Sequence, residues 1–125
     1  MSLSVDVFVV ARDGRIDVLD VPADCSNLAG FESWRTSVWG SEAVSSLGAT
    51  FLPVLANDDL KVFPDRLANF LAECAVIRSN LEAVAPSTDP SKSHAEYVRQ
   101  ISERLRNIEA AAERAQGVGG GVLIW

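Results

Sequence analysis

The sequence predicts an α+β domain: a mainly antiparallel sheet of about four or five strands with a long helical hairpin packed on one face. Two observations lead to this prediction. Residues near both ends of the chain have the β-branched composition of strands, and residues 65–116 carry apolar side chains at the spacing of helices. The predicted order is β-β-α-β-(β)-α-α-β, and residues 1–125 fit a single domain.

A β-hairpin is predicted at the start of the chain. Residues 4–11 and 15–21 are rich in β-branched residues, and the Asp-Gly pair at 13–14 is a strong hairpin-turn signal. A two-residue turn there would place Val9 opposite Val18. The predicted core face then consists of Val5, Val7, Val9, Ala11, Ile16 and Val18. The other face, which we expect to be only partly covered, mixes Phe8, Val10 and Leu19 with Asp6 and Asp17.

Shorter elements are predicted in the middle of the chain. Apolar and aromatic residues of 28–39 fit one helical face, and residues 41–47 are expected to add another helical turn. Residues 50–55 have the composition of a strand, and Pro53 assigns that strand to the edge of the sheet because proline cannot donate to a central ladder. Residues 60–63 are predicted to return as a short strand.

Residues 65–85 and 93–116 are predicted to form the two arms of the helical hairpin. Pro64 suits the start of the first arm, where its missing N–H costs nothing. Ser93 and Glu96 form a capping box at the start of the second arm. The apolar seams of the two arms are Leu67, Phe70 or Leu71, Cys74, Ile77, Leu81 and Val84, and Val98, Ile101, Leu105, Ile108, Ala112 and Ala115.

The ends of these arms carry helix-breaking residues. Pro86 and Pro90 bracket a predicted break between the arms, and Gly117 is the predicted stop of the second arm. The glycines at 119–121 allow a sharp reversal into a last strand at 122–125. Because that strand is strongly apolar, we expect it to be paired inside the sheet.

The charge of the chain bears on its partners. The net charge is −6, and residues 1–63 carry nine acidic and four basic side chains, whereas residues 92–125 carry four acidic and five basic. Nucleic acid is not an expected partner, because phosphate backbones require clustered Lys and Arg. A protein with a basic surface is the favoured partner, and surface charge that serves only solubility is the alternative.

Membrane association is not expected either. No apolar stretch of the sequence approaches the roughly 20 residues that span a bilayer. We therefore expect a cytoplasmic protein. The apolar stripe of the hairpin is wide enough to cover a globular core, and both a monomer and a homodimer remain compatible with it.

Side chains that bind metals or act in catalysis are sparse. His94 is the single histidine, and Cys74 falls in an apolar seam while Cys25 lies far from it in the chain. The glycines at 117–121 follow a helix and precede a strand, which is the reverse of the order in a phosphate-binding loop. We therefore expect no catalytic site, no metal and no cofactor.

The most suggestive binding residues are two tryptophans with an arginine between them and a pair of aspartates in a turn. On a regular helix, Trp34 and Trp39 would point about 140° apart, so one ring is expected to be exposed or to cap a cleft. Exposed Trp and Arg are typical of binding hot spots, although both rings could instead pack under the edge of the sheet. The predicted binding residues are Trp34, Arg35, Trp39, Asp58 and Asp59.

Two classes of function compete on these observations. The favoured one is a non-enzymatic protein-binding module, such as a bacterial immunity protein that neutralises a toxin, by analogy of size and charge. The alternative is a small enzyme or ligand-binding protein with a pocket between the sheet and the helical hairpin. A pocket in which Asp and Arg side chains converge would favour the alternative.

Overall fold

A computed structural model describes residues 2–85 and 93–125 and confirms the α+β class with an antiparallel sheet. The strands are β1 (Ser2–Val10), β2 (Ile16–Val18), β3 (Leu28–Phe31), β4 (Leu60–Val62) and β5 (Gly121–Ile124). The α-helices are α1 (Glu42–Ser46), α2 (Leu67–Arg78), α3 (Leu81–Val84) and α4 (His94–Val118). A π-helical turn (Arg35–Trp39) and two 3-10 turns (Leu52–Ala56 and Pro64–Arg66) join them. The predicted break between Pro86 and Pro90 lies outside the described residues.

The sheet is built around β1. Its strand order is β2-β1-β5-β4, and β3 also pairs with β1, all antiparallel. The prediction that the last strand is paired inside the sheet is therefore confirmed. The N–H of Val5 donates to the carbonyl of Asn27, and the N–H of Leu19 donates to the carbonyl of Val7, both at 2.8 Å. Strands β3 and β2 thus lie in tandem along the edge of β1 that faces away from β5.

The first hairpin exists, but its predicted register is wrong. Val9 lies opposite Asp17, and Val18 lies opposite Phe8. The loop has three residues rather than two: the N–H of Ala11 donates to the carbonyl of Arg15 at 2.8 Å, and Gly14 has a positive φ of 87°. Because side chains alternate along a strand, this slip of one residue moves the side chains of β2 to the other face. Val18 is consequently exposed instead of lying in the core.

The helix predicted over 28–39 is wrong in its first part, where the chain forms β3 instead. Gly30 has a φ of 121°, which a right-handed helix does not accommodate. A Cβ atom at this position would lie 2.5 Å from Cε3 of Trp34, so the close approach of the indole requires glycine. Pairing with the free edge of β1 outweighs the local helical pattern, and only the π-helical turn at Arg35–Trp39 is helical.

The edge strand predicted over 50–55 is also wrong, because most of that segment forms the 3-10 turn Leu52–Ala56. The carboxylate of Glu73 in α2 accepts hydrogen bonds from the N–H groups of Thr50 at 2.6 Å, Phe51 at 3.0 Å and Leu52 at 2.8 Å. Successive N–H groups of a strand point in opposite directions, whereas those at the start of a turn converge on one acceptor. Glu73 of α2, which is distant in the sequence but in contact in space, therefore caps this turn.

Two predicted helix boundaries need correction. The first arm is not one helix to residue 85, because α2 ends at Arg78 and α3 begins at Leu81. Between them, the side chains of Ser79 and Asn80 donate to carbonyls four residues back and compete with the helical ladder. The second arm ends at Gly119, which adopts the left-handed conformation with a φ of 68°, and not at Gly117.

The apolar seams of both arms are confirmed as the centre of the core. Helix α4 packs across β1, β3 and β5, and α2 packs against α4. Arg78 of α2 holds the two arms together, donating to Glu109 at 2.6 Å and to the hydroxyl of Ser102 at 3.0 Å. The fully buried seam residues are Phe70, Cys74, Ile77, Ile101, Leu105, Ile108, Ala112 and Ala115.

The two thiols are expected to differ in reactivity. Burial raises the pKa of the Cys74 thiol, whereas Cys25 is partly exposed. Because the thiolate is the reactive form, Ellman's reagent should titrate one thiol quickly in the native protein and the second only after unfolding. A Cys25→Ser variant should lose the fast phase. Fast modification of Cys74 in that variant would show that the seam opens in the native state.

Candidate functional site

The sheet has one face under α4, and its opposite face is partly exposed to solvent. Val5 and Val7 of β1 belong to the core, so the alternate residues Asp6, Phe8 and Val10 point to the opposite side. Residues that pair across neighbouring strands share a face of the sheet. Pairing with residues on this side of β1 or β5, or ring contact with Phe8, therefore assigns further residues to the same side. We call this surface the open face. Its residues are Asp6, Phe8, Val10, Ile16, Val18, Lys61, Phe63, Leu123 and Trp125.

The open face exposes several large apolar side chains. The exposed fractions are 44% for Val10 and for Val18, 43% for Phe63 and 48% for Trp125. Apolar residues scattered singly over a surface need no explanation, but several on one face of one sheet are typical of an interaction site. This grouping makes the open face our candidate functional site.

Phe8 forms the floor of the open face. Although it points away from α4, it is fully buried, because its ring lies over Gly121 and meets the ring of Phe63 edge-to-face at 5.6 Å. A Cβ atom on Gly121 would collide with that ring and with the carbonyl of Val62. The glycine thus leaves the space that the aromatic ring fills, and the centre of the open face is closely packed.

Trp125 is a fixed aromatic anchor on this face. Its Nε1–H donates to Oδ2 of Asp6 at 2.8 Å. Asp6 is itself a buried charged residue, only 9% exposed. The bond holds the indole in one orientation while nearly half of the side chain remains in solvent. A ring fixed before binding loses little conformational entropy when a partner covers it.

An acidic turn borders the open face. Asp58, Asp59, Lys61, Leu123 and Trp125 line a shallow pocket of about 420 Å³. Both aspartates are exposed, and Oδ1 of Asp58 accepts a hydrogen bond from the N–H of Asp59 at 2.8 Å. We call residues 57–59 the acidic turn. An exposed indole beside carboxylates is suited to a basic side chain, which both groups attract.

Arg35 holds the acidic turn in place. Its guanidinium donates to Oδ1 of Asp59 at 2.8 Å, to the carbonyl of Asp58 at 2.9 Å and to Glu32 at 2.6 Å. The hydrogen bond that Arg35 donates to the carboxylate of Asp59 raises the pKa of Arg35. The predicted residues Arg35, Asp58 and Asp59 are therefore brought together, with Arg35 acting as the tether of the turn.

The expectation that one of Trp34 and Trp39 is exposed is wrong. They are 3% and 0% exposed, because the segment is not one regular helix and the angle between the rings is not that of the α-helical period. The rings meet edge-to-face at 5.9 Å, and Nε1–H of Trp39 donates to the carbonyl of Ala29 at 2.8 Å. Both rings pack beneath β3. The exposed tryptophan of the site is Trp125, which we did not single out from the sequence.

The described residues offer little for catalysis. His94 is exposed in the first turn of α4. Within residues 2–85 and 93–125, no three His, Cys, Asp or Glu side chains come together as metal ligands. Glu73 borders a cavity of about 310 Å³ beside α2, but its carboxylate already accepts the N–H groups of residues 50–52. Of the described helices, none is both long and apolar enough to cross a bilayer.

These observations describe one surface, the open face with the acidic turn at its border. It combines a closely packed aromatic floor, a fixed indole and a tethered acidic turn. Comparison of the chain with protein-family models, with curated proteins and with solved structures finds no significant match.

Proposed function

We propose that this protein is a non-enzymatic protein-binding module that holds its partner on the open face and the acidic turn. The observation that carries the proposal is Trp125, half exposed where the open face meets the acidic turn and fixed by its hydrogen bond to Asp6. Aromatic side chains in such positions provide much of the binding energy of protein interfaces, while the polar rim excludes water.

Charge supports a basic partner. Residues 1–63 carry a net charge of −5, and the acidic turn lies directly beside Trp125. Lys61 is the one basic side chain among the open-face residues. A partner with an apolar centre and a basic rim would complement this arrangement. Rim charges act mainly on the association rate, so binding to such a partner should slow as the salt concentration rises.

The concrete form that we propose is an immunity protein that neutralises a basic toxin, with a cytoplasmic location. This form rests on the small size of the chain and its acidic charge, and hence on analogy. A second copy of the chain is the main competitor for the open face. In this proposal the protein is a monomer, and the partner covers its open face on binding.

The partner's binding kinetics provide the test. The partner is first captured with the wild-type protein and identified. It should bind the Trp125→Ala variant at least about 2 kcal/mol more weakly, mainly through faster dissociation. The Asp58→Ser, Asp59→Ser variant should bind more slowly, with a weaker dependence on salt. Val76→Ala and Glu113→Ser are the matched controls, since both residues are exposed on helices away from the open face.

Circular dichroism must show that each variant is folded, because Trp125→Ala also leaves Asp6 without its donor and Asp59→Ser removes a partner of Arg35. Unchanged kinetics in both folded variants would rule out the open face as the partner's site. A dimer that depends on concentration and dissociates in Trp125→Ala would show that a second copy covers this face. That outcome would replace the proposed function.

A further inference from the structure

A groove runs between α4 and the segment 19–26 that links β2 to β3. It consists of two adjoining cavities of about 160 Å³ and about 410 Å³, and Arg114 of α4 lines both. The groove lies on the α4 side of the sheet, because Val7 of the core face forms part of the smaller cavity. It is therefore separate from the open face.

The smaller cavity has an apolar wall and two opposite charges. Val7, Leu19, Val21 and Val118 supply apolar surface, and Asp20 and Arg114 line the same space. In the larger cavity, Arg106 and Asp24 are the second such pair.

These opposite charges do not satisfy one another. Among the described residues, none of the four charged side chains forms an ion pair, and Asp24 accepts only a weak hydrogen bond from Sγ of Cys25 at 3.7 Å. Opposite charges that border one cavity without closing it leave room for a molecule that carries both charges itself.

We propose that the smaller cavity binds a small apolar zwitterion, an α-amino acid with an aliphatic side chain. The carboxylate of the ligand pairs with Arg114, its ammonium group pairs with Asp20, and its side chain lies against the apolar wall. A ligand with only an anionic group would gain from Arg114 but meet Asp20, and a simple amine would meet the reverse situation. The volume of the smaller cavity, about 160 Å³, is below the roughly 300–1,000 Å³ of pockets that hold drug-sized molecules.

The shallow cavity predicts weak binding. Leu19 and Val118 remain partly in solvent, so a bound side chain is covered on one side only. We expect a dissociation constant of about 1 mM, equivalent to about −4 kcal/mol. This is a ligand-binding site in addition to the proposed protein-binding surface, and it does not depend on that surface.

Leucine, followed by amide chemical-shift changes, is the direct probe. Its titration should saturate and shift the amides of residues 19–21 and 114–118. Isocaproate, which lacks the ammonium group, and isoamylamine, which lacks the carboxylate, should each bind at least about tenfold more weakly. Asp20→Asn and Arg114→Gln should each weaken leucine binding by a similar factor. Asp13→Asn and Arg99→Gln, which change exposed charges outside the groove, should leave it unchanged.

Three results would overturn this inference. One is the absence of saturable shifts with leucine at tens of millimolar. Another is isocaproate or isoamylamine binding as tightly as leucine, which would show that one charge suffices. The third is unchanged leucine binding in the folded Asp20→Asn and Arg114→Gln variants. None of these results would bear on partner binding at the open face, so the two proposals fail separately.

Discussion

Replacing Ile77 or Leu105 by alanine is expected to lower the free energy of unfolding by about 2–5 kcal/mol each. Both side chains are 0% exposed and lie on the two arms that face each other, Ile77 in α2 and Leu105 in α4. Each substitution removes buried methyl and methylene groups and leaves a cavity that the packed arms can only partly close. Denaturant unfolding, monitored by far-ultraviolet circular dichroism, measures the loss.

The neighbouring Val76 provides a matched control for these variants. It belongs to the same helix as Ile77 but is 44% exposed. Val76→Ala should therefore change the free energy of unfolding by no more than about 0.5 kcal/mol. If the two core variants each lost less than about 1 kcal/mol, the seams would not be the contact between the arms.

Removing the carboxylate of Glu73 should cost about 2–3 kcal/mol, which is large for a residue that is not fully buried. In Glu73→Ala the N–H groups of Thr50, Phe51 and Leu52 lose their acceptor. Thr50 is exposed and can turn to water, but Phe51 is partly buried and Leu52 fully buried, so their donors stay poorly satisfied. Glu73→Gln should lie between the alanine variant and the wild type, because one carbonyl oxygen remains.

Hydrogen exchange locates this effect. The amides of residues 50–52 should exchange faster in Glu73→Ala. The exchange rates of the α4 amides should change only as much as the global free energy of unfolding changes. Glu113→Ala, which removes an exposed acidic side chain from the C-terminal part of α4, is the control and should leave the unfolding midpoint nearly unchanged. Equal stability and equal exchange in Glu73→Ala would show that the 3-10 turn forms without its cap.

Local signals in the sequence were sufficient where an element is long and its partner is close. The seam and the Ser93 cap located α4, and the oxygen of Ser93 does accept the N–H of Glu96 at 3.1 Å. They failed where a distant residue decides the local structure. Residues 28–31 pair with β1 instead of forming a helix, and the conformation at 50–52 depends on Glu73, more than twenty positions away in the chain.

The candidate site shows the same division. The acidic turn and Arg35 stand out locally, as turn residues and as a basic side chain between aromatic ones. Trp125 does not, because its exposure depends on which face of β5 is covered by α4. The α-helical angle between Trp34 and Trp39 does not apply, because the segment enters a π-helical turn. The residues of the site can therefore be identified only once the register of the sheet is known.

The pairing of β1 with β5 has a consequence for the order in which the protein is made. Residues 5–8 leave the ribosome well before their partners at 121–124 are synthesised. Until then, β2 and β3 can cover one edge of β1, while the N–H and C=O groups of its other edge have no strand to bond. Such an edge can pair with other nascent chains. The interval between synthesis of β1 and arrival of β5 is thus when this chain is most prone to misassociate.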